Sequence, residues 1–555
     1  LLANVDYDMN NRHHVSYNLM MIHAGTQSVG DYTGKNSIFS DDYDNLGLTR
    51  RQQSNDNLLI VNQLLTNWGL TKSLSLDAGV SYNMVKGYEP DRRINNITKA
   101  ENGYTLLRGN SQQRYFSALD EDDINVKAGL VYRLKDDVEE ISNIRLGYIG
   151  RFVDDSFKAT EYNLTVEHAS DFPSLVGFSL DDYYNRDNLS SGWFKIQKNV
   201  DKYTVTKNIH SAYAEATYQF TPRWIVNLGL KYDYVDINVD YNVNRGGSEG
   251  SNTIRKDYFL PSLNLKYNLN EKHSLRLGAS KTYTLPQAKE ISPYRYVGVN
   301  FNSQGNPNLK SEKSHSFDLS YSNFTAKFNV NLSLRHSFNN NGIERVSHLV
   351  TDPNGEIFDG DHKAPQGALY STYDNIGKSR ETGLSFYVNW NASPKTRIYI
   401  NGRGNYRDLR SPSQNLHNYG WNGSVYGGIQ HTLPWKIRLS LNGGGSTPYI
   451  SLQGKGSGYN YYGLGLSRSF LKEERLSLNI YCNNFVEKYR TYNSHTEGQN
   501  FMSRSSNKYP NRYYGFSISY RFGELKASVK KAARSINNND VKGGGGGNTG
   551  GGGGQ

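Results

Sequence analysis

The last alternating stretch of the chain, YGFSISYRF at 514–522, switches strictly between two kinds of side chain. Aromatic and aliphatic residues occupy the even positions, whereas glycine, serines and an arginine occupy the odd positions. Successive side chains of a β-strand point to opposite faces of a sheet, so this pattern predicts a strand with one apolar and one polar face. We therefore expect a fold built from strands of this kind.

The same period of two recurs along the chain, as in WIVNLGLKYDY at 224–234 and FNVNLSLRHSF at 328–338. The alternating stretches are about 10–14 residues long, which suits a tilted membrane strand better than a soluble strand of ~5–6 residues. Asparagine, serine, glycine and charged residues occupy the polar face, as in a wet lumen, and aromatic residues gather at strand ends, as at membrane interfaces. The sequence therefore predicts an all-β fold, a transmembrane antiparallel outer-membrane β-barrel. We expect its lipid-facing side chains to include Val226, Leu228, Val330, Leu332, Phe516 and Ile518.

The connections between the predicted strands alternate in length. Short turns include 10–12, 221–223, 268–272, 323–325, 393–395 and 471–473, whereas long loops span about 26–56, 85–120, 155–206, 285–311, 346–370 and 489–509. Outer-membrane barrels have short periplasmic turns and long extracellular loops. The pattern therefore predicts one barrel over residues 1–523, with about 19 strands. An acidic run at 120–123 falls at the end of one predicted long loop, and we expect it to form a solvated rim.

Composition excludes several other classes of protein. The 555 residues are 36% hydrophobic with a mean hydropathy of −0.72, and no stretch approaches the ~18 apolar residues of a membrane-spanning helix. The 13% aromatic content argues against disorder. The net charge of +11 comes from interspersed residues without a basic stripe, so we expect no nucleic-acid partner. Cys482 is the single cysteine, which excludes an intramolecular disulfide framework and a cysteine-based zinc site.

Sequence motifs of catalytic or metal chemistry are absent. The chain contains no GxSxG, HExxH or CxxC motif. The Asp-rich segment at 352–361 lacks the spacing of a calcium loop and is more typical of a surface turn. We therefore expect no enzyme, no catalytic residue, no metal site and no cofactor.

Both ends of the chain carry signals of their own. The chain starts inside an alternating stretch, without a basic region or a cleavage site, and we expect it to be the C-terminal part of a longer precursor. Segment 524–542 is basic, and the spacing of its apolar residues fits either a short amphipathic helix or a solvated linker. Two five-glycine runs follow within 543–555, and we expect this tail to be disordered. Because the last strand leaves the barrel at the short-turn end, both segments should be periplasmic.

Several segments resemble TonB-dependent outer-membrane receptors. QGNPNLKSE at 304–312 resembles their GNPxLKPE segment, with Ser311 in place of the usual proline, and NIGKSRETG at 375–383 resembles the NxGxxxxxG strand that follows it. The last hairpin and the basic, glycine-rich tail resemble the Bacteroidota branch of this family. The resemblance implies 22 strands in the full protein. Three strands, a plug domain that fills the lumen and the energy-coupling box would then precede Leu1.

The resemblance also implies a transporter of the bacterial outer membrane, which binds a bulky nutrient at its long loops and imports it through a plugged lumen. Its partners would be outer-membrane lipid, the N-terminal plug domain and the TonB energy-coupling system. The alternative is a non-transport assembly component, a platform for a surface lipoprotein or another barrel. A lumen of this width needs a filling domain, and we expect charged luminal side chains to contact it. The candidates for these contacts are Glu215, Lys231, Asp233, Arg335 and Arg521.

Overall fold

The computed structural model describes residues 1–10, 12–34, 46–100, 103–106, 111–134, 141–168, 180–243, 248–297, 302–352, 356–359, 362–364, 367, 369–498 and 500–522. The predicted basic segment at 524–542 and the glycine-rich tail at 543–555 lie outside these residues, so their conformation and periplasmic location stay predictions. In the described part of the chain, no helix has the length and hydropathy needed to cross a membrane.

Long antiparallel strands dominate the structure, and each pairs with the next along the chain as an up-and-down meander. In the described residues the long strands are β1 (Leu2–Asn10), β2 (His13–Gly34), β3 (Gly47–Gly69), β4 (Leu74–Ala100), β5 (Ser111–Arg133), β6 (Asn143–Val166), β7 (Phe194–Gln219), β8 (Trp224–Val243), β9 (Ser248–Asn268), β10 (His273–Thr284), β11 (Glu312–Phe324), β12 (Phe328–Leu349), β13 (Leu369–Ser393), β14 (Thr396–Ser411), β15 (Leu416–Thr432), β16 (Arg438–Ser446), β17 (Tyr459–Phe470), β18 (Leu476–Asn483) and β19 (Tyr513–Tyr520). The predicted all-β fold is confirmed, and these strands match the predicted number of about 19.

Shorter elements occupy the connections. The helices span Leu180–Tyr183, Arg186–Ser190 and Ala288–Ile291, and the 3-10 turns span Pro434–Lys436 and Lys472–Glu474. Three short strands, Gly103–Thr105, Arg295–Val297 and Asn302–Gln304, join the main sheet and bring it to 22 strands. Two small separate sheets comprise Glu356–Asp359 with His362–Ala364, and Ile450–Ser451 with Gly454–Lys455, Tyr489–Glu497 and Met502–Pro510. Among the described strands, β1 pairs only with β2 and β19 only with β18.

The connection between β10 and β11 shows which face of the sheet is the lumen. This segment packs against Tyr203 of β7 and Val239 of β8, and it also accepts a hydrogen bond from Tyr370 of β13. One segment can touch strands so far apart in a continuous sheet only from the concave side. The concave face is therefore the lumen of a curved wall, and the opposite, convex face is available to lipid.

The predicted lipid-facing residues lie on the convex face. Phe516, Ile518, Leu228 and Leu332 are 75%, 63%, 54% and 40% exposed, and the alternation of each strand places Val226 and Val330 beside them. Aromatic residues limit this apolar band on β8, with Trp224 at one end and Tyr234 at the other. Ten residues at ~3.3 Å each, tilted by ~40°, span about 25 Å along the membrane normal. This height matches the apolar band of outer-membrane barrels.

Beyond Tyr234 the apolar residues of β8 change sides. Val235, Ile237 and Val239 on the luminal face are at most 2% exposed, whereas Asp236 on the convex face pairs with Arg255 at 3.1 Å. A wall that is polar outside and apolar inside lies in water and encloses a packed core. The strands therefore continue well above the membrane on the long-loop side.

This continuation corrects two expectations from the sequence. Strands β4 to β7 run for 23–27 residues, so most of the predicted loop at 85–120 and much of 155–206 is paired strand. The acidic run at 120–123 lies within β5 and is not a loop rim, because Asp122 accepts a 2.6 Å hydrogen bond from the Tyr82 hydroxyl and buried Asp123 pairs with Arg151 at 2.9 Å. Cross-strand hydrogen bonds do not depend on which face is apolar, so the ladder persists where the side-chain pattern changes.

Candidate luminal site

Three of the five predicted plug-contact residues lie together on the luminal face of β7 and β8. The ammonium of Lys231 donates to Oδ2 of Asp233 at 2.9 Å, and the hydroxyl of Tyr283 donates to the same oxygen at 2.9 Å. Oε1 of Glu215 accepts from the side-chain amide of Asn227 at 2.6 Å. These carboxylates are positioned by neighbours on the wall, so the three predicted residues form part of one polar luminal surface.

The other two predicted residues lie elsewhere. Arg335 is on the luminal face of β12, with Nε 3.7 Å from Oδ1 of Asp318 on β11 and a side chain that is 61% exposed. Arg521 follows β19 at the short-turn end, where its guanidinium donates to the carbonyl of Glu473 at 2.8 Å. The structure therefore does not gather the five residues into one cluster, and a plug contact at each of them stays a prediction.

Buried acceptors line the luminal wall of β5, β6 and β8. Within the described residues, Oδ1 of Asn125, Asp155 and Asp233 is buried without a hydrogen-bond partner. The three side chains belong to residues that are 0%, 7% and 1% exposed. A buried acceptor left unpaired costs about 1–3 kcal/mol. The chain itself covers these oxygens, so they mark a polar but tightly packed part of the luminal wall.

Segment 285–311 folds into the lumen, and we call it the luminal strap. Its described residues include the helix Ala288–Ile291 and the hairpin of Arg295–Val297 with Asn302–Gln304. An apolar core joins the strap to the wall above the membrane; its buried members from the strap are Leu285, Ile291 and Leu309, and those from the wall include Tyr203, Val205, Ile209, Val235, Ile237 and Val239. The apolar luminal residues of β8 are thus explained by the strap that covers them.

One side of the strap is attached to β13. Asn302–Gln304 pairs in parallel with 370–372 of that strand. The side-chain amide of Asn306 donates to the carbonyl of Tyr373 at 2.9 Å. Asn375 accepts from the backbone N–H of Lys310 at 2.7 Å and donates to its carbonyl at 2.8 Å. These contacts fix the C-terminal part of the strap in both position and register.

The other side of the strap reaches β3, β4 and β5. The hydroxyls of Tyr294 and Tyr115 are 2.6 Å apart, and burial raises the pKa of Tyr294, so both phenols stay protonated at neutral pH. Arg51 donates to the Tyr296 hydroxyl at 2.5 Å. The Arg92 guanidinium, only 1% exposed, lies 3.8 Å from the ring centroid of Tyr115 and 5.3 Å from that of Tyr296. Cation–π contacts of this kind are strengthened by desolvation.

The QGNPNLKSE segment forms the β13 side of the strap, which explains several of its residues. A Cβ at Gly305 would collide with the carbonyl oxygen of Ser292, so only glycine fits that position. Leu309 is 3% exposed in the apolar core. The Ser311 hydroxyl accepts a 2.6 Å hydrogen bond from Tyr258, a contact that the usual proline could not accept through its side chain.

Sequence alone predicts 285–311 only as an extracellular loop and does not reveal the strap. A signal for it exists in β8, where apolar residues move from even positions before Tyr234 to odd positions after it. Together with the apolar residues at 285, 291 and 309, this change of position along β8 indicates an inner apolar core above the membrane. Sequence alone does not say which loop supplies the other half of that core.

These features define an outer-membrane β-barrel with an internal loop. The chain belongs to the outer membrane protein beta-barrel family, and the match to this family covers residues 178–520. The family places it in the bacterial outer membrane. No curated protein sequence matches the chain.

Two solved structures share the fold at low sequence identity. The siderophore receptor PiuA from Acinetobacter baumannii superimposes with a TM-score of 0.56 at 11% identity, over 93% of this chain and 78% of that one. The ferric citrate transporter FecA, in the unliganded form, gives a TM-score of 0.50 at 12% identity, over 94% of this chain and 77% of that one. The likeness extends over nearly the whole barrel wall described here.

Proposed function

We propose that this chain is the barrel of a TonB-dependent transporter, in which an N-terminal plug domain fills the lumen and the TonB system supplies the energy for import. A bulky nutrient would bind at the extracellular end, between the plug and the long loops. The luminal strap would stand beside this entrance as a fixed part of the wall. Glu215, Lys231 and Asp233 would belong to the surface that the plug contacts.

The charged side chains that stay exposed on the luminal wall carry this proposal. The side chains of Lys231 and Arg335 are 38% and 61% exposed on the luminal face. A hydrated domain with polar and charged groups would pair with them, whereas a lipid chain or an apolar ligand would not. The barrels of PiuA and FecA, described as a siderophore receptor and a ferric citrate transporter, support the same class of function.

Conductance in a planar lipid bilayer tests the plug. The protein carrying its complete N-terminal region should show almost no open-channel current, whereas a variant that lacks only the plug domain should conduct through the lumen. Charge reversal at the wall, with Lys231→Glu, should raise current through the complete protein if this residue holds the plug. A large, permanently open pore in the complete protein would contradict the proposal.

Growth and pull-down experiments separate transport from assembly. Deletion of the gene should abolish uptake of one nutrient class and leave other outer-membrane proteins in place. A deletion strain with normal uptake of the tested nutrients, but with a surface lipoprotein or another barrel lost from the membrane, would instead support the assembly component.

A further inference from the structure

The convex face of β10 to β14 carries a group of cations directly above the apolar band. The cross-strand register places four leucines in one row, Leu277, Leu319, Leu334 and Leu384. These side chains are 45–53% exposed. Four residues further towards the long loops, Lys281 lies opposite His315, and the row continues through Phe338 to Arg380. The next row contains Lys378.

These three cations have no carboxylate partner among the ion pairs of the described residues. Lys281, Lys378 and Arg380 appear in none of these pairs, and the neighbouring Asp408 is already held by Arg410 at 2.9 Å and by His417 at 3.0 Å. On the convex face of β8 and β9, by contrast, Arg255 is paired with Asp236. The convex face of β10–β13 therefore carries unpaired positive charge at the level of the membrane surface.

An apolar groove of about 620 Å³ lies immediately beside the cations. Small side chains at Ala214, Ala216 and Ala279 form its floor, and Leu228, Leu230, Pro261 and Phe317 are among the larger residues along it. Lys281 and His315 line the same groove. A convex barrel wall rarely offers a concave apolar site, and this volume lies in the range of small-molecule pockets.

The geometry points to a binding site for a phosphorylated glycolipid of the outer leaflet. We propose that one acyl chain lies in the groove between β7 and β11, with the lipid phosphate on Lys281 and with Lys378 and Arg380 beside it. The cations lie on the long-loop side of the apolar band, which is the extracellular side of an outer-membrane barrel. At that level an anionic headgroup meets them, and each cation near an anionic surface adds favourable electrostatic energy. The site does not depend on the transport function or on a plug.

Native mass spectrometry of the purified protein in neutral detergent tests the site. Titration with phosphorylated lipid A should give a one-to-one adduct, and the dephosphorylated lipid should bind more than about tenfold more weakly. The triple variant Lys281→Gln/Lys378→Gln/Arg380→Gln should show the same loss. A matched control, Lys158→Gln/Lys202→Gln/Arg255→Gln, removes three cations from the convex extracellular wall of β6, β7 and β9 and should bind as the wild type does.

A second variant tests the groove without changing charge. Ala279→Leu should fill the groove and weaken the adduct while leaving the heat-modified shift of the folded barrel on gels unchanged. Equal binding of phosphorylated and dephosphorylated lipid would overturn the proposal, as would equal losses in the cation variant and its control. Inorganic phosphate should displace the lipid from the Ala279→Leu variant but not from the wild type. That result would support a site that holds both the phosphate and the acyl chain. Unchanged binding by both the triple variant and Ala279→Leu would also overturn it.

Discussion

Neighbouring residues on β12 face lipid on one side of the wall and the aqueous lumen on the other. The same added charge should therefore destabilise the barrel at one position and have little effect at the next. Leu332 lies in the convex apolar band at 40% exposure, whereas Asn331 faces the lumen and donates to the Ser322 hydroxyl at 3.0 Å. Leu332→Lys should lower the free energy of unfolding by about 2–4 kcal/mol, because an ammonium at mid-membrane loses its hydration. Urea titration of the barrel refolded into lipid vesicles measures the change.

Asn331→Lys is the matched control for that measurement, because it adds the same charge one residue away on the wet face. It should change the unfolding free energy by less than about 1 kcal/mol. Equal destabilisation by the two lysines would show that the faces of β12 are assigned wrongly.

Arg92 predicts a second effect at the scale of a single residue. Its side chain is 1% exposed, Nη1 lies 3.6 Å from Oε1 of Glu89, and the guanidinium stacks on Tyr115. Arg92→Met should destabilise the long-loop end by about 3–5 kcal/mol, because the buried carboxylate of Glu89 loses its main cationic neighbour and keeps only the weaker influence of Arg51. Protease accessibility of the strap and thermal unfolding in detergent would both report the loss.

The double variant Arg92→Met/Glu89→Gln separates the charge effect from lost packing. Neutralising both partners should recover more than half of the stability lost by the single change, since no unpaired charge remains. A double variant as unstable as Arg92→Met would mean that the stacking on Tyr115, and not the ion pair, dominates.

At the scale of elements, the strap depends on a few side chains of its neighbouring strand. Asn375 makes two hydrogen bonds to the backbone of Lys310 and a third, at 2.9 Å, to the carbonyl of Asn341. Asn375→Ala should free the C-terminal part of the strap, and hydrogen exchange of amides at 302–311 should become at least about tenfold faster as local opening becomes easier.

Asn391→Ala serves as the control, because Asn391 makes a 2.7 Å hydrogen bond to the carbonyl of Ala326 at the opposite, short-turn end of the sheet. Exchange in the strap should not change in that variant. Unchanged exchange at 302–311 in Asn375→Ala would instead show that the apolar core alone holds the strap.

A strand that interrupts the expected alternation is also explained at this scale. Asn62 of β3 falls among apolar convex-face positions, such as Leu64, which is 47% exposed. The Tyr17 hydroxyl of β2 donates to Oδ1 of Asn62 at 2.8 Å, so part of the polar group is satisfied on the membrane side of the wall. A cross-strand partner thus permits a polar residue where single-strand periodicity argues against one.

At the scale of the whole molecule, the barrel should have one orientation in the membrane. Exposed Ser413 lies in the connection between β14 and β15 on the long-loop side, and exposed Glu271 lies in the turn between β9 and β10 on the short-turn side. In a Cys482→Ser background, Ser413→Cys should react with a membrane-impermeant maleimide on intact cells, whereas Glu271→Cys should react only after lysis. Labelling of Glu271→Cys on intact cells would reverse the orientation.

The alternation of side chains determined much of this fold, because the two faces of a strand follow from local chain geometry alone. Residues 514–522 and 224–234 contain enough of this pattern to predict the barrel and its lipid face, and the resemblance of 304–312 indicated the receptor class. The five predicted luminal residues could not be resolved into a site by the same means. Alternation assigns a face but not a distance along the lumen, and Arg335 and Arg521 lie apart from the other three.

Tertiary structure decided what occupies the inside of the long-loop end. Val235 and Ile237 are buried because the strap covers them, and the strap is held between β13 and the group formed by Arg92 and Tyr115. These contacts join positions up to about 200 residues apart, and they exist only after the sheet has curved and brought remote strands to opposite sides of one lumen. The sequence by itself thus determined the strands and their two faces, whereas the strap and its supports depend on the curvature of the whole wall, a property that no single strand carries.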